Sequence, residues 1–332
     1  MMATGIKQWI QQVTDRALEI LDLKSEGIPL DDLISQCHAV LSRRGEATGL
    51  ALAGSVVASW QALESNQHLS FFQALIAEFG PDQERLEQAI ADYQKNVDDV
   101  NVMRLHQAAE AKRQELFRRI NAAPNGLQTL ILMREALRRL LREHPELKPI
   151  DQDLVHLFTS WFNKGFLRLE RIDWQTPAAV LEKLIQYESV HEIQGWDDLR
   201  RRLAEDRLCF AYFHPVIPDE PLIFVEVALV QGMSDAIAPL LDSPPAPPIA
   251  ADTAVFYSIN NCQPGLAGVS FGNLLIKQVV SVLQAEHPRL KRFVTLSPIP
   301  GLRLWLETEG REFLHRFESS DDEMDLKSIV AQ

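Results

Sequence analysis

A chain of 332 residues with 46% apolar content carries enough hydrophobic sequence for about two ordinary domains. Its 46 acidic and 33 basic residues leave a net charge of −13, which argues against broad binding to nucleic acid or to an anionic membrane. No apolar run is long enough for a membrane span, and residues 1–20 lack a signal-peptide core. The three cysteines, Cys37, Cys209 and Cys262, show neither a disulfide framework nor metal-ligand spacing, so the expected setting is a reducing cytoplasm.

Residues 5–150 read as helices punctuated by turns. Gly27-Ile28-Pro29 precedes 30–43, and Gly80-Pro81 separates 71–79 from 83–96. Ala123-Pro124-Asn125-Gly126 divides a long charged helix at 98–121 from 127–143, where Leu130, Met133, Leu137 and Leu140 form an apolar stripe. No repeat of fixed period appears. His38, His68 and His106 stand alone and read as surface or core filler. The expectation is an all-α bundle that supports or oligomerises the protein. Residues 150–200 read as a helical bridge. From about 205 the pattern turns to strands at 208–213, 222–230 and 253–259, with a proline-rich surface loop at 243–248. Alternation places Phe224, Glu226 and Ala228 on one face; Glu226 reads either as a paired or solvent-facing carboxylate or as a general base. Cys209 reads as a buried apolar residue and Cys262 as the more exposed thiol. The acidic tail at 319–325 is expected to be poorly ordered.

The stretch from 256 to 305 is the most informative. It reads as strand (256–259), loop (260–271), helix (272–286), strand (292–296) and then Ser297-Pro298-Ile299-Pro300-Gly301. Gly265, Gly268 and Gly272 lead into a helix N-terminus, whose free backbone N–H groups and positive dipole end suit a phosphate or pyrophosphate. The loop lacks the Lys-Ser/Thr of a P-loop and the spacing of a dinucleotide fingerprint. A tight strand-to-helix connection that binds nothing fits the same pattern. With Ser297 at a strand end as a candidate reactive group, the stretch suggests an acyl-coenzyme A site. Arg200, Arg201, Arg202, Lys277 and Arg303 could add positive charge there, though most read as solvated surface charges.

These residues carry a resemblance. Phe256-Tyr257-Ser258-Ile259, the loop 265–272, Leu275-Ile276-Lys277-Gln278-Val279-Val280 and Leu296-Ser297-Pro298-Ile299-Pro300-Gly301 resemble the malonyl-CoA decarboxylase family. Ser160-Trp161-Phe162, Leu167-Arg168-Leu169-Glu170-Arg171, Trp174, Pro177, Val190-His191, Trp196, Arg201-Arg202 and Pro218-Asp219-Glu220-Pro221-Leu222, leading into Val227-Ala228-Leu229, follow in the family's order. The likeness is specific over 155–306 and looser before 150, where Phe71-Phe72 to Phe79-Gly80 is its best anchor.

The resemblance implies an α+β protein: an all-α domain with its bridge at 1–193, then a GNAT-like (acetyltransferase-like) catalytic domain at 194–332, incomplete at its C-terminus. It implies conversion of malonyl-CoA to acetyl-CoA and CO2 through an enolate, with no cofactor and no metal, in a homo-oligomer assembled through the helices. The CoA-binding loop of the family falls on Ala267, Gly268, Val269, Ser270, Phe271, Gly272 and Asn273, and its catalytic serine on Ser297. The family's catalytic histidine sits in an Asn-Pro-Val-Ala-x-Phe-His motif that this sequence does not contain; the context of His315 does not match it. An inactive decarboxylase relative, binding acyl-CoA or only assembling, is therefore the alternative, and an acyl transferase using Glu226 as base is a third. A GNAT-like sheet that ended here would leave an edge and apolar surface uncovered.

Overall fold

The computed structural model describes residues 30–42, 45–163, 165–269, 272–299, 301–308 and Gly310. Ser270, Phe271, His315 and the acidic tail lie outside the described residues. The helical part comprises α1 (Leu30–Ser42), α2 (Glu46–Gln61), α3 (His68–Glu78), α4 (Gln83–Lys95), α5 (Asp99–Ala109), α6 (Lys112–Ala122), α7 (Gly126–Leu140) and α8 (Lys148–Trp161).

Capping explains several of the breaks. Asp82 accepts from the Arg85 amide at 3.2 Å to start α4, and Asp98 accepts from the Asn101 amide at 2.7 Å to start α5. The long helix expected at 98–121 is interrupted: Glu110 and Ala111 are extended, and α6 starts afresh at Lys112. The break turns the chain back toward the bundle. The Lys112 and Arg113 amides donate to the Gly80 and Phe79 carbonyls at 3.2 and 2.9 Å. The helices α4 and α5 thus form an arm that leaves and rejoins the body at one place.

The second half holds β1 (Arg168–Ile172), α9 (Ala178–Tyr187), α10 (Trp196–Arg202), β2 (Arg207–His214), β3 (Ile217–Val230), α11 (Ala238–Asp242), β4 (Thr253–Asn261), α12 (Gly272–Glu286), β5 (Arg292–Thr295) and α13 (Leu302–Glu307). The sheet runs β1-β2-β3-β4-β5, antiparallel except for the parallel β4–β5 pair. The bridge expected to be all helix contains β1, whose Arg168–Ile172 pairs with Phe213–Cys209 of β2. A short alternating segment joins a sheet more readily than it makes a helix of its own.

One face of the sheet meets the helices. Phe210, Val225, Val227 and Phe256 share a continuous apolar core with Leu130 and Met133 of α7, Phe158 of α8, and Leu275 and Val279 of α12. Tyr212 donates to Gln278 at 2.5 Å and fixes α12 on this face. The other face is covered by α9, α10 and α11. As alternation predicts, Phe224, Glu226 and Ala228 lie there.

One irregularity matters. Glu226 pairs with Ser258 but Val227 pairs with Phe256, so Tyr257 is an extra residue in β4, a β-bulge. Ala254 and Phe256 belong to the helical-side core before the bulge, and Ile259 packs against it afterwards. Ser258 and Asn260 consequently face the α9 side.

Candidate functional site

The connection after β4 is tightly folded. The Cys262 amide donates to Leu222 O at 3.0 Å, and Pro264–Leu266 form a 3-10 turn. The amides of Leu266, Ala267 and Val269 donate to Gln263 O (2.8 Å), Pro264 O (3.2 Å) and Leu266 O (3.0 Å). Leu266 and Val269 enter the shared core. The three glycines differ in role. Gly265 lies against α7, where a Cβ would stand 2.0 Å from Ile131 O. Gly268 is exposed with φ +86°, a left-handed conformation that disfavours side chains. Gly272 opens α12 and has only ordinary contact with Ile223, 3.7 Å from a built Cβ. Of the remaining loop residues singled out in the sequence, Asn273 falls in the first turn of α12.

Cys262 is buried rather than exposed, against Phe224 on the α9 side, and burial pushes its thiol well above the usual range. It offers no reactive thiolate. Cys209 is buried as expected.

Ser297 stands just past β5. Parallel pairing of Thr253–Phe256 with Arg292–Thr295 continues in the bond from the Leu296 amide to Phe256 O at 2.9 Å. Parallel strands end at the same end of a sheet, so Ser297 and the 262–269 loop share that end, where open α/β sheets commonly bind ligands. Ser297, Pro298 and Ile299 are exposed. Among the described residues, none is hydrogen-bonded to the Ser297 hydroxyl. It is an accessible donor and acceptor, not a hydroxyl paired with a described base.

The other face of β3 and β4 holds a buried polar network. Arg202 donates to Glu226 at 2.7 Å, to Asp198 at 3.1 Å and to the His191 carbonyl at 3.1 Å. Glu188 accepts from Ser258 at 2.8 Å, from Asn260 at 2.6 Å and from the Val190 and His191 amides at 2.9 and 2.8 Å. Burial raises the Glu226 carboxyl to about 7; Arg202 pulls it down and the Glu188 charge pushes it up. Glu226 is only 1% exposed, so it is the paired carboxylate of the two readings, not a base open to substrate. Arg201 is not a solvated charge either: it forks onto Asp206 at 2.8 and 3.1 Å. Arg200, Lys277 and Arg303 are exposed. Among the described residues no cluster of His, Cys, Asp and Glu could hold a metal ion, and no helix is long and apolar enough to cross a membrane.

Sequence reading missed Arg134. It is buried on α7 and donates to the Gly265 and Ala267 carbonyls at 2.7 and 2.8 Å. The signal was present: residue 134 lies four after Leu130 and three before Leu137, so a charge stands within an apolar stripe.

Fold and site together define an α+β protein in which a helical bundle grips a strand–loop–helix connection beside an exposed serine. The profile of the malonyl-CoA decarboxylase C-terminal domain matches residues 165–331, and that of the malonyl-CoA decarboxylase N-terminal domain matches 79–162. The solved malonyl-CoA decarboxylase from Rhodopseudomonas palustris is 53% identical with a TM-score of 0.80, over 86% of this chain and 70% of that one. The Agrobacterium vitis structure is 51% identical with a TM-score of 0.79, over 83% and 68%. Mitochondrial malonyl-CoA decarboxylase of the goose Anser anser anser is 40% identical over 201 residues, 58% of this chain and 40% of that protein. This chain belongs to the malonyl-CoA decarboxylase family. Its match spans less than half the length of the curated relatives.

Proposed function

We propose that the chain carries the helical domain and the CoA-binding half of a malonyl-CoA decarboxylase, a carboxy-lyase releasing acetyl-CoA and CO2. The observation that carries this is the sharing of one sheet end by Ser297 and the loop with its exposed Gly268. In this reading Ala267, Gly268, Val269, Ser270, Phe271, Gly272 and Asn273 contact CoA, and Ser297 acts on the malonyl group. A mixed sheet whose parallel β4 and β5 are linked by α12 supports a GNAT-like domain from about residue 194, after a helical part and bridge at 1–193.

The reaction sets the demands. Loss of CO2 drives electrons into the thioester carbonyl, giving an enolate that must be stabilised and then protonated at carbon. A hydrogen bond aimed at the developing oxyanion is worth about 3–4 kcal/mol at comparable sites. Ser297 can make that bond or orient the malonyl carboxylate without acting as a nucleophile.

The arm formed by α4 and α5 supports homo-oligomerisation. Ile90, Val97, Val100, Val102 and Met103 are exposed on it, an apolar surface suited to a second copy. A cytoplasmic setting accords with three free buried thiols.

The test is acetyl-CoA and CO2 formation from malonyl-CoA by the full chain, with calorimetric CoA titration on the same sample. Ser297→Ala is expected to lower turnover by about a hundredfold or more while shifting CoA affinity by less than about twofold. Loss of CoA binding instead assigns the serine to anchoring. CoA binding by the unaltered chain without turnover favours the binding-only reading; neither binding nor turnover in folded protein sinks both.

A further inference from the structure

The loop that leaves β4 is held from the helical bundle by a committed buried charge. Arg134 is 1% exposed. Its Nη1 donates to the carbonyls of Gly265 (2.7 Å) and Ala267 (2.8 Å), while its Nε donates to Asp151 of α8 at 2.8 Å. Asp151 both neutralises and aims the guanidinium. Gly265 is pressed against Ile131 O with no room for a Cβ, and Leu266 is buried in the core that the bundle and sheet share. This is far more apparatus than a surface turn requires.

Peptide geometry turns the grip into a statement about the ligand. No described peptide bond is cis, and in a trans peptide the C=O and the following N–H point in opposite directions. Drawing the Ala267 carbonyl toward Arg134 therefore directs the Gly268 N–H away from the bundle. The amides of Leu266, Ala267 and Val269 are consumed within the loop, whereas no described residue accepts from the Gly268 N–H, and Gly268 is exposed. We infer that Arg134 is a positioning residue for the acyl-CoA site: from the helical domain it sets the loop so that the Gly268 amide faces outward, toward a phosphate-bearing part of the ligand. The inference rests on the reading of this loop as the CoA contact. It gives the helical domain a share in ligand binding, separate from support or assembly.

Two readouts on the full chain test it: amide hydrogen exchange across residues 262–269 without ligand, and calorimetric CoA titration. Arg134→Gln is expected to speed exchange in the loop by about tenfold or more, with β4 and α7 unchanged, and to weaken CoA binding by about tenfold, the scale for losing charge-assisted hydrogen bonds. Arg134→Lys keeps the charge and one donor direction and should recover part of both. Should Arg134→Gln fail to fold, Gly265→Ala attacks the same contact from the loop side and is expected to give the same pair of effects. Unchanged loop exchange overturns the inference. Faster loop exchange with CoA affinity held within about twofold also overturns it, because the held shape then does nothing for the ligand. Failure of the unaltered chain to bind CoA removes the reading of the loop as a CoA contact, and with it the ligand part of the inference; the exchange result then decides the grip alone.

Discussion

On the sheet face turned to the helical bundle, Phe210, Val225, Val227 and Phe256 join an apolar core, whereas on the other face Arg202, Glu188, Glu226 and Asn260 are buried in a hydrogen-bonded network. The first face needs only shape and volume to be right. The second also needs partners in fixed positions, because a buried charge that loses its partner is costly. The same strands therefore meet two standards of tolerance. The bundle side accepts conservative apolar exchange, while the α9–α10 side specifies which residue stands where.

Truncation on each side sharpens this contrast. Arg202→Ala leaves the buried Glu226 carboxyl without its partner and is expected to cost about 3–5 kcal/mol in denaturant melts. Phe256→Ala, on the apolar side, should cost a similar about 3–5 kcal/mol through its cavity. The two separate on repair. The double change Arg202→Met with Glu226→Leu should recover much of the first loss, since a buried ion pair can be replaced by apolar packing. A double variant as unstable as Arg202→Ala would refute the account of that face as partner-dependent.

The pH dependence comes next in size. The Glu226 carboxyl rises from an ordinary 4.5 to about 7 on folding. The folded state then holds a proton that the unfolded state gives up. Stability from this group is fully present below about pH 4.5 and is lost as pH rises through about 7, by on the order of 3 kcal/mol. Glu226→Gln should remove that part of the slope between these limits, as read in melts across pH. A slope unchanged by the substitution would mean the carboxylate stays charged in the pair. The smallest effect belongs to the candidate site itself. Exposed Ser297→Ala should change stability by less than about 0.5 kcal/mol, so any activity change can be read as chemistry.

Much of this architecture was legible in the sequence, for physical reasons that can be named. The amphipathic stripe and the His287-Pro288 ending marked the helix at Gly272–Glu286, and alternation placed Phe224, Glu226 and Ala228 on one face. The glycines at 265 and 268 flagged the loop, although only Gly268 is free to face a ligand; Gly265 serves the packing against α7. What could not be read depends on contacts distant in sequence. The break at Glu110 is stabilised by carbonyls of Phe79 and Gly80. The segment Arg168–Ile172 becomes a strand only because β2 offers an edge. Arg134 shows in the sequence as a charge within an apolar stripe, but its partner, a loop more than a hundred residues later, does not.

The extra residue at Tyr257 acts as a phase shift along β4. Before it, positions 254 and 256 point to the bundle; after it, position 259 does. Unbroken alternation through these same residues, with Tyr257 drawn into the ladder, would exchange the two sets beyond it. Ser258 and Asn260, the groups that bind the Glu188 carboxylate, would be delivered into the apolar core, and Ile259 would be turned toward that carboxylate. A β4 of the same length paired without its bulge is thus an inverted strand beyond Tyr257 rather than a straighter one. The bulge is therefore what keeps the strand feeding the candidate site in phase with the Glu188 carboxylate.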